Sequence, residues 1–242
     1  MKPLLVLAAF PVVLMGWMSC SRSGTGHAAL PDPRTVDKSV PEYKNPFHPS
    51  TYAHFVARKD YRKTYDVYKD DTLLNRQPKK SRKIFVCLDE QRGQYLVDGL
   101  VAMDFPLSSG VKAYPTKTGD YAVISKKEDH TSNLYGKMYD AEGKCINYNA
   151  ESTDPVPEGG RFDGSPMPYW QRLTNAGLGL HVGKVRRHPV SHGCVRLPRN
   201  VAEILYRQTS IGTPVTIQKT PLPVSEAQKI PPAQQQDSEG RK

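Results

Sequence analysis

The sequence predicts a mainly β protein with one or two short helices. Three observations carry that reading. Hydrophobic content is low at 38%, and the 242 residues include 21 prolines and 13 tyrosines against 6 phenylalanines, a composition suited to a loop-rich β protein rather than a helix bundle. Short apolar, β-branched runs recur at close spacing between residues 84 and 124, with turn signals between them. Only the segment after Asn200 has convincing helical spacing.

Residues 1–19 read as a signal peptide. Met1-Lys2 is a minimal positive start, and Pro3 to Met18 is apolar but too short to span a membrane as a helix. Cys20 follows directly, after the small Ser19, and the arrangement resembles a bacterial lipoprotein signal, although Trp17 stands where such signals usually carry Leu. Two outcomes stay open: lipidation at Cys20, which would anchor the chain to a membrane, or ordinary export with a cut elsewhere. Either way the protein is expected outside the cytoplasm, in the periplasm or cell envelope. Residues 20–45 are rich in Ser, Gly, Pro and charge and read as a flexible linker. Residues 46–81 form an N-terminal extension, with Tyr52, Phe55, Tyr61, Tyr65, Val67 and Tyr68 scattered among charges. It closes on the basic, turn-prone Pro78-Lys79-Lys80-Ser81-Arg82-Lys83.

The first clear strand is Ile84-Phe85-Val86-Cys87-Leu88, apolar enough to be buried on both faces. A turn at Gln91-Arg92-Gly93 leads to Gln94–Val97. Asp98-Gly99 is a strong two-residue hairpin signal, Leu100 to Leu107 is the next strand, and Tyr121–Ile124 continues the meander. Residues 126–165 are polar and rich in Gly, Asp and Asn, and read as a long irregular loop of the kind that serves as a lid or binding loop. Met167–Leu173 and Leu178–His181 are strands. Asn200 is placed to cap a helix, with Glu203 three residues on completing a capping box, and Val201, Ile204 and Leu205 on its packed face. Pro214–Ile217 is a last strand, and residues 220–242, rich in Pro and Gln, read as a disordered tail.

The net charge of +10 implies an anionic partner or serves solubility alone. The chain carries no zinc-finger spacing, no aromatic RNA-binding pattern and no long basic helix, so nucleic acid is not expected as a partner. With Cys20 set aside, Cys87, Cys145 and Cys194 remain, an odd number that suggests a free reactive thiol in an exported protein. Cys87 reads as a small core residue. Its pairing with Cys145 is open.

Chemistry concentrates between Gly179 and Pro198, which hold three of the seven histidines and one of the four cysteines. Ser191-His192-Gly193-Cys194 puts an imidazole two residues before a thiol, and His181 lies thirteen residues upstream of it. A thiol attacks as its thiolate, and a nearby imidazole can take the proton. A tight turn at Gly193 lets backbone amides converge on a developing oxyanion.

Leu178-Gly179-Leu180-His181 followed by Ser191-His192-Gly193-Cys194-Val195-Arg196-Leu197 closely resembles the catalytic signature of the L,D-transpeptidases, the YkuD-type cysteine enzymes of bacterial cell walls. Tyr95–Gly99, Phe105–Gly110 and Thr116–Tyr121 resemble further strands and a turn of that domain, so the likeness runs over roughly residues 82–219. It implies a single β-sandwich catalytic domain without cofactor or metal. Cys194 is implied as nucleophile, His181 as proton donor and acceptor, His192 as an assisting group and Gly193 as an oxyanion amide. The implied reaction is acyl transfer from a tetrapeptide stem of peptidoglycan with release of D-alanine, in a protein expected to be a monomer. Substrate contacts are expected from Arg196, Ser191, Trp170 and Tyr169. Arg196 either steadies the thiolate or grips a substrate carboxylate, Ser191 either meets substrate or orients the turn, and Trp170 either lines a groove or belongs to the core. Lys184, Arg186, Arg187 and Arg199 lie nearby in sequence, and His188 reads as a loop residue. Four rivals remain: an L,D-carboxypeptidase of the same fold, a non-catalytic peptidoglycan-binding module, a zinc site built from His181, His188, His192 and Cys194, and a structural histidine cluster with an inert buried cysteine.

Overall fold

The computed structural model describes residues 30–77, 81–225 and 228–229. The expected signal peptide (1–19), Cys20 and most of the tail lie outside the described residues. The elements run, in chain order, α1 (Tyr52–Ala57), β1 (Tyr68–Lys69), α2 (Asp71–Asn75), β2 (Arg82–Cys87), β3 (Arg92–Val97), β4 (Leu100–Pro106), β5 (Gly119–Ala122) and β6 (Ser125–Lys127). They continue with β7 (Thr131–Tyr139), β8 (Cys145–Glu151), β9 (Arg161–Pro166), β10 (Trp170–Arg172), β11 (Gly179–Val182), β12 (Val195–Leu197), α3 (Arg199–Gln208) and β13 (Pro214–Gln218). The strands form three sheets, ordered β1-β4-β3-β2-β13-β5, β12-β11-β10-β6 and β8-β7-β9.

The fold is mainly β. β2 lies inside the six-stranded sheet between β3 and a parallel β13, and Ile84 to Cys87 are all buried. That two-sided burial is why the segment reads as an unbroken apolar run instead of an alternation. At Asp98-Gly99, φ is +52° and +83°, so both central positions of the β3–β4 turn are left-handed, the geometry that favours this dipeptide. One core joins the first two sheets: Ile84, Val86, Tyr95, Met103 and Phe105 pack with Leu180, Val195 and Leu197, closed by Val201, Ala202 and Leu205 of α3.

Several expectations are corrected. Gln91-Arg92-Gly93 is not the hairpin turn; Arg92 and Gly93 already belong to β3, and Arg92 is only 1% exposed. The capping box at Asn200 does not form: the helix starts at Arg199, the Pro198 carbonyl takes its first bond from Ala202, and Glu203 pairs with Arg207 at 3.1 Å. Residues 126–165 are not irregular, since β6 to β9 account for much of the stretch. β8 shows both faces to solvent from Ile146 to Asn149, so no apolar–polar alternation marks it in the sequence. The three described cysteines are all free, and Cys87 and Cys145 are unpaired with each other.

The linker reading fails for the described part of 20–45. Arg34 pairs with Glu90 at 2.7 Å, Lys38 donates to the Val56 carbonyl and Tyr43 to the Ala57 carbonyl. The described tail is likewise bound, with Val224 buried and the Gln228 amide bonding both main-chain groups of Val101. The extension covers the outer face of the six-stranded sheet. There Arg92, Gln94 and Asp104 would otherwise meet water. Instead Tyr52 and Tyr61 donate to Asp104 at 2.6 and 2.8 Å, and Arg92 is ion-paired to the same carboxylate, both side chains being at most 1% exposed. Removing one partner of such a buried pair strands the other charge. Asp104→Ala is expected to cost about 3–5 kcal/mol in urea denaturation, with a much smaller loss for Arg58→Ala, whose partners Asp60 and Asp66 are exposed.

Candidate active site

His181 lies on β11 and Cys194 immediately precedes β12. The two strands are parallel, with Leu180 opposite Val195 and His181 opposite Arg196. Strand side chains alternate in direction, so the pleat turns Gly179, His181, Cys194 and Arg196 to one face. Leu180, Val195 and Leu197 turn to the other, where they are fully buried in the core. The apolar–polar order of Leu180-His181 and Val195-Arg196-Leu197 thus follows the two faces of the pleat.

His181 is 6% exposed. Its Nδ1 lies 2.8 Å from the Val182 carbonyl oxygen. A carbonyl only accepts, so Nδ1 carries the proton and Nε2 keeps its lone pair. Trp170 backs the ring at 5.9 Å and is itself in tilted contact with His130 at 5.1 Å. At 3% exposure, Trp170 is a wall behind the histidine and not a groove residue. Burial holds the His181 imidazolium down to about pKa 4.

Cys194 is half-buried, and its Sγ–H donates to the Gly177 carbonyl at 3.3 Å. Burial pushes the thiol's pKa up, opposed by a bond from the Gly179 N–H and by the charge of Arg196. The resting pair is therefore a neutral thiol and a neutral imidazole. The depressed His181 value also has a consequence for stability. Between its ordinary value of 6.5 and about 4, the unfolded chain binds a proton that the folded chain refuses. This contribution is complete above pH 6.5 and is lost as pH falls toward 4, by roughly 3 kcal/mol in all. Urea denaturation at pH 7.5 and pH 4.5 should show a smaller acid loss for His181→Gln than for the parent chain.

The turn before Cys194 is braced from below. Gly193 has φ of +114°, a conformation that side-chain-bearing residues rarely adopt. Ser191 is 2% exposed; its Oγ donates to the Cys194 carbonyl at 2.5 Å and accepts the Gly193 N–H at 3.2 Å. The Ser191 hydroxyl thus orients the turn, one of the two roles expected of it, with a donated and an accepted bond. Thr116 Oγ1 accepts the Gly110 N–H at 2.8 Å and donates to the Gly193 carbonyl at 2.6 Å. Gly110 allows that approach: a Cβ there would lie 2.1 Å from the Tyr114 carbonyl oxygen and 2.8 Å from Gly193 Cα.

His192 is exposed and stacked on Tyr135 at 4.4 Å, with Tyr114 at 4.9 Å on it as well. Tyr169 packs edge-on against Tyr206 at 5.5 Å, beside the core. His188 is exposed in the loop, and Arg187 is turned inward rather than displayed with Lys184, Arg186 and Arg199. An open cavity of about 590 Å³ shares Gly110, Thr116 and Pro189 with the underside of the turn, but neither His181 nor Cys194 lines it. Among the described residues no group of three or more His, Cys, Asp or Glu side chains is placed to hold a metal ion.

Residues 81–217, more than half of the chain, match the family model of the YkuD L,D-transpeptidase catalytic domain. The chain belongs to the L,D-transpeptidase family. It is similar to the probable L,D-transpeptidase 3 of Mycobacterium tuberculosis, at 32% identity over 121 residues, 47% of this chain and 38% of that relative. The chain therefore spans well under half the length of the curated relative it matches. Among solved structures, it is similar to the catalytic domain of the E. faecium L,D-transpeptidase (28% identity, 57% of this chain and 98% of that one, TM-score 0.42) and to an L,D-transpeptidase from Mycobacterium smegmatis (22% identity, 57% and 58%, TM-score 0.44).

Parts of this L,D-transpeptidase-family domain around Cys194 are not legible in the sequence. Tyr135 and the Gly177 carbonyl carry no local signal, because strand pairing and a turn deliver them. Thr116 and Ser109 lie in stretches that resemble the family, and their polar side chains between strands were the available cue.

Proposed function

We propose that this chain is a peptidoglycan L,D-transpeptidase that works through a Cys194 thioester. One observation carries the reading: the proton on Nδ1 of His181 is committed to the Val182 carbonyl, which leaves Nε2 as a base on the strand face that Cys194 shares. On attack, the thiol leaves the Gly177 carbonyl and gives its proton to Nε2, while Sγ bonds to the acyl carbon before the terminal D-alanine of a stem tetrapeptide. The developing oxyanion is held by main-chain N–H groups of the turn, the Gly193 N–H exchanging its long bond to Ser191 for a charged acceptor. Nε2 then returns the proton to the departing D-alanine amine, and a thioester remains. An acceptor amine attacks the thioester, its proton passes to His181, and the thiol is restored.

Arg196 lies on the reactive face, and its aliphatic stem packs over Gly183, where a Cβ would come within 2.8 Å of Arg196 Cγ and Cδ. We assign it to the thiolate or to a stem carboxylate. His192, displayed with Tyr135 and Tyr114, borders the entrance. The activity requires export, which residues 1–19 would direct, with Cys20 as a lipid anchor. Among the described residues no helix is long and apolar enough to cross a membrane.

Incubating the purified chain with disaccharide-tetrapeptides and weighing the products tests the reading. Cross-linked dimers with free D-alanine are expected. Tripeptides alone would make the chain a carboxypeptidase, and unchanged substrate would overturn both activities.

A further inference from the structure

The loop between β11 and the nucleophile holds a residue that the reaction above leaves unused. Arg187 has φ of +60°, a left-handed conformation that costs a residue other than glycine about 1–2 kcal/mol and persists only where its surroundings impose it. Its guanidinium donates through Nη1 to the Glu90 and Gln91 carbonyls at 3.0 and 2.5 Å, and through Nη2 to the Tyr61 carbonyl at 3.4 Å and to the Arg62 carbonyl. All four acceptors are main-chain oxygens. Two belong to the β2–β3 turn and two to the extension.

One partner on each side is itself fixed. Tyr61 is 2% exposed and bonded to the buried Asp104. The Gln91 side chain donates to Ser109 Oγ at 2.8 Å and accepts the Ser109 N–H at 2.9 Å. The Ser109 carbonyl in turn accepts the N–H groups of Val190 and Ser191 at 2.8 and 3.0 Å, and Ser108 Oγ accepts the Arg186 N–H at 2.8 Å. From Ser191 the next bond reaches the Cys194 carbonyl. A continuous set of contacts therefore runs from the extension through Arg187 to the residue that carries the thiol.

We propose that Arg187 is a positioning residue: through it, the N-terminal extension holds the loop over residues 183–193 in a strained conformation that sets how Cys194 is presented. The proposal rests on Cys194 as the nucleophile. Tyr61 and Arg62 lie outside residues 81–217, the part that matches the family, so half of the clamp is supplied by this chain's own extension. Misplacing a reacting group by about 1 Å can cost on the order of 100-fold in rate. Releasing the loop also relieves its strain, so activity should suffer more than stability.

The test uses the full chain and the variants Arg187→Ala, Arg187→Lys and Tyr61→Phe, with Arg58→Ala as a control in an exposed ion pair of the extension. Three quantities are measured: kcat and KM on disaccharide-tetrapeptide, the iodoacetamide alkylation rate of Cys194 from pH 5 to 9 located by peptide mapping, and the melting temperature. Arg187→Ala should lower kcat about 10-fold or more with KM within about twofold, and should shift the alkylation profile of Cys194. Arg187→Lys should recover part of the loss, since an ammonium reaches some of the four carbonyls. Tyr61→Phe should reproduce a smaller share from the extension side, and Arg58→Ala should match the parent. Wild-type kcat and an unmoved alkylation profile in Arg187→Ala would overturn the proposal, as would losses that merely track melting temperature in all variants. Should the parent chain itself release no D-alanine, the functional reading fails, and the alkylation profile still decides whether Arg187 positions the thiol.

Discussion

Cys194→Ala is expected to abolish D-alanine release and cross-linking, a loss on the order of 10⁴-fold or more, as for other residues that act as one catalytic unit with their base. Among the described residues the free thiols are Cys87, Cys145 and Cys194. Cys87 is buried, its Sγ donates to the Lys219 carbonyl at 3.0 Å, and burial pushes its pKa to about 11. Cys145 sits on the solvent-facing β8, in a sheet separate from the one that carries His181. Only Cys194 shares a strand face with an imidazole whose unprotonated nitrogen is fixed. The substitution removes little packing, because Cys194 is not part of the core cluster. Melting temperature should move by a few degrees at most, and a folded, inactive chain is the expected result.

His181→Gln should lower kcat by about 10³-fold or more, the range seen when the base of a nucleophile–base unit is lost. Glutamine fills much of the space between Trp170 and the Val182 carbonyl but supplies no base near neutral pH. The imidazole is held down to about pKa 4 by burial, so in the parent chain it is unprotonated through the physiological range. The acid limb of kcat should accordingly fall well below pH 6.5. An acid limb centred near 6.5 would mean that the buried His181 is not the working base. Initial rates of D-alanine release from pH 4 to 9 would distinguish the two.

The parts of the molecule legible in the sequence are those where neighbours in the chain set the chemistry. Asp98-Gly99 turns because both positions must be left-handed. Ile84 to Cys87 reads as a two-sided strand because the sheet buries both of its faces. His181 and Cys194 stand out because their residue types are rare and their spacing matches two adjacent parallel strands.

What could not be read depends on distant partners. Arg92, Gln94 and Asp104 are polar residues that nothing local marks as buried, and only the extension folding over them makes them interior. β7 to β9 carry no alternation because much of their surface stays wet. Trp170 could have faced a groove or the core, and the pairing of β10 with β11 decides it by setting the indole behind His181. The bracing bonds of Ser191 are likewise set by the folded turn and not by its neighbours in the chain.

The most direct measurement is the intact mass of the chain mixed briefly with disaccharide-tetrapeptide and quenched in acid, followed by peptide mapping of any adduct. A covalent adduct equal to the donor minus D-alanine, sensitive to hydroxylamine and located on the peptide that contains Cys194, is the predicted result. Cross-linked product formed with no adduct, or with the adduct on a residue other than Cys194, would contradict it.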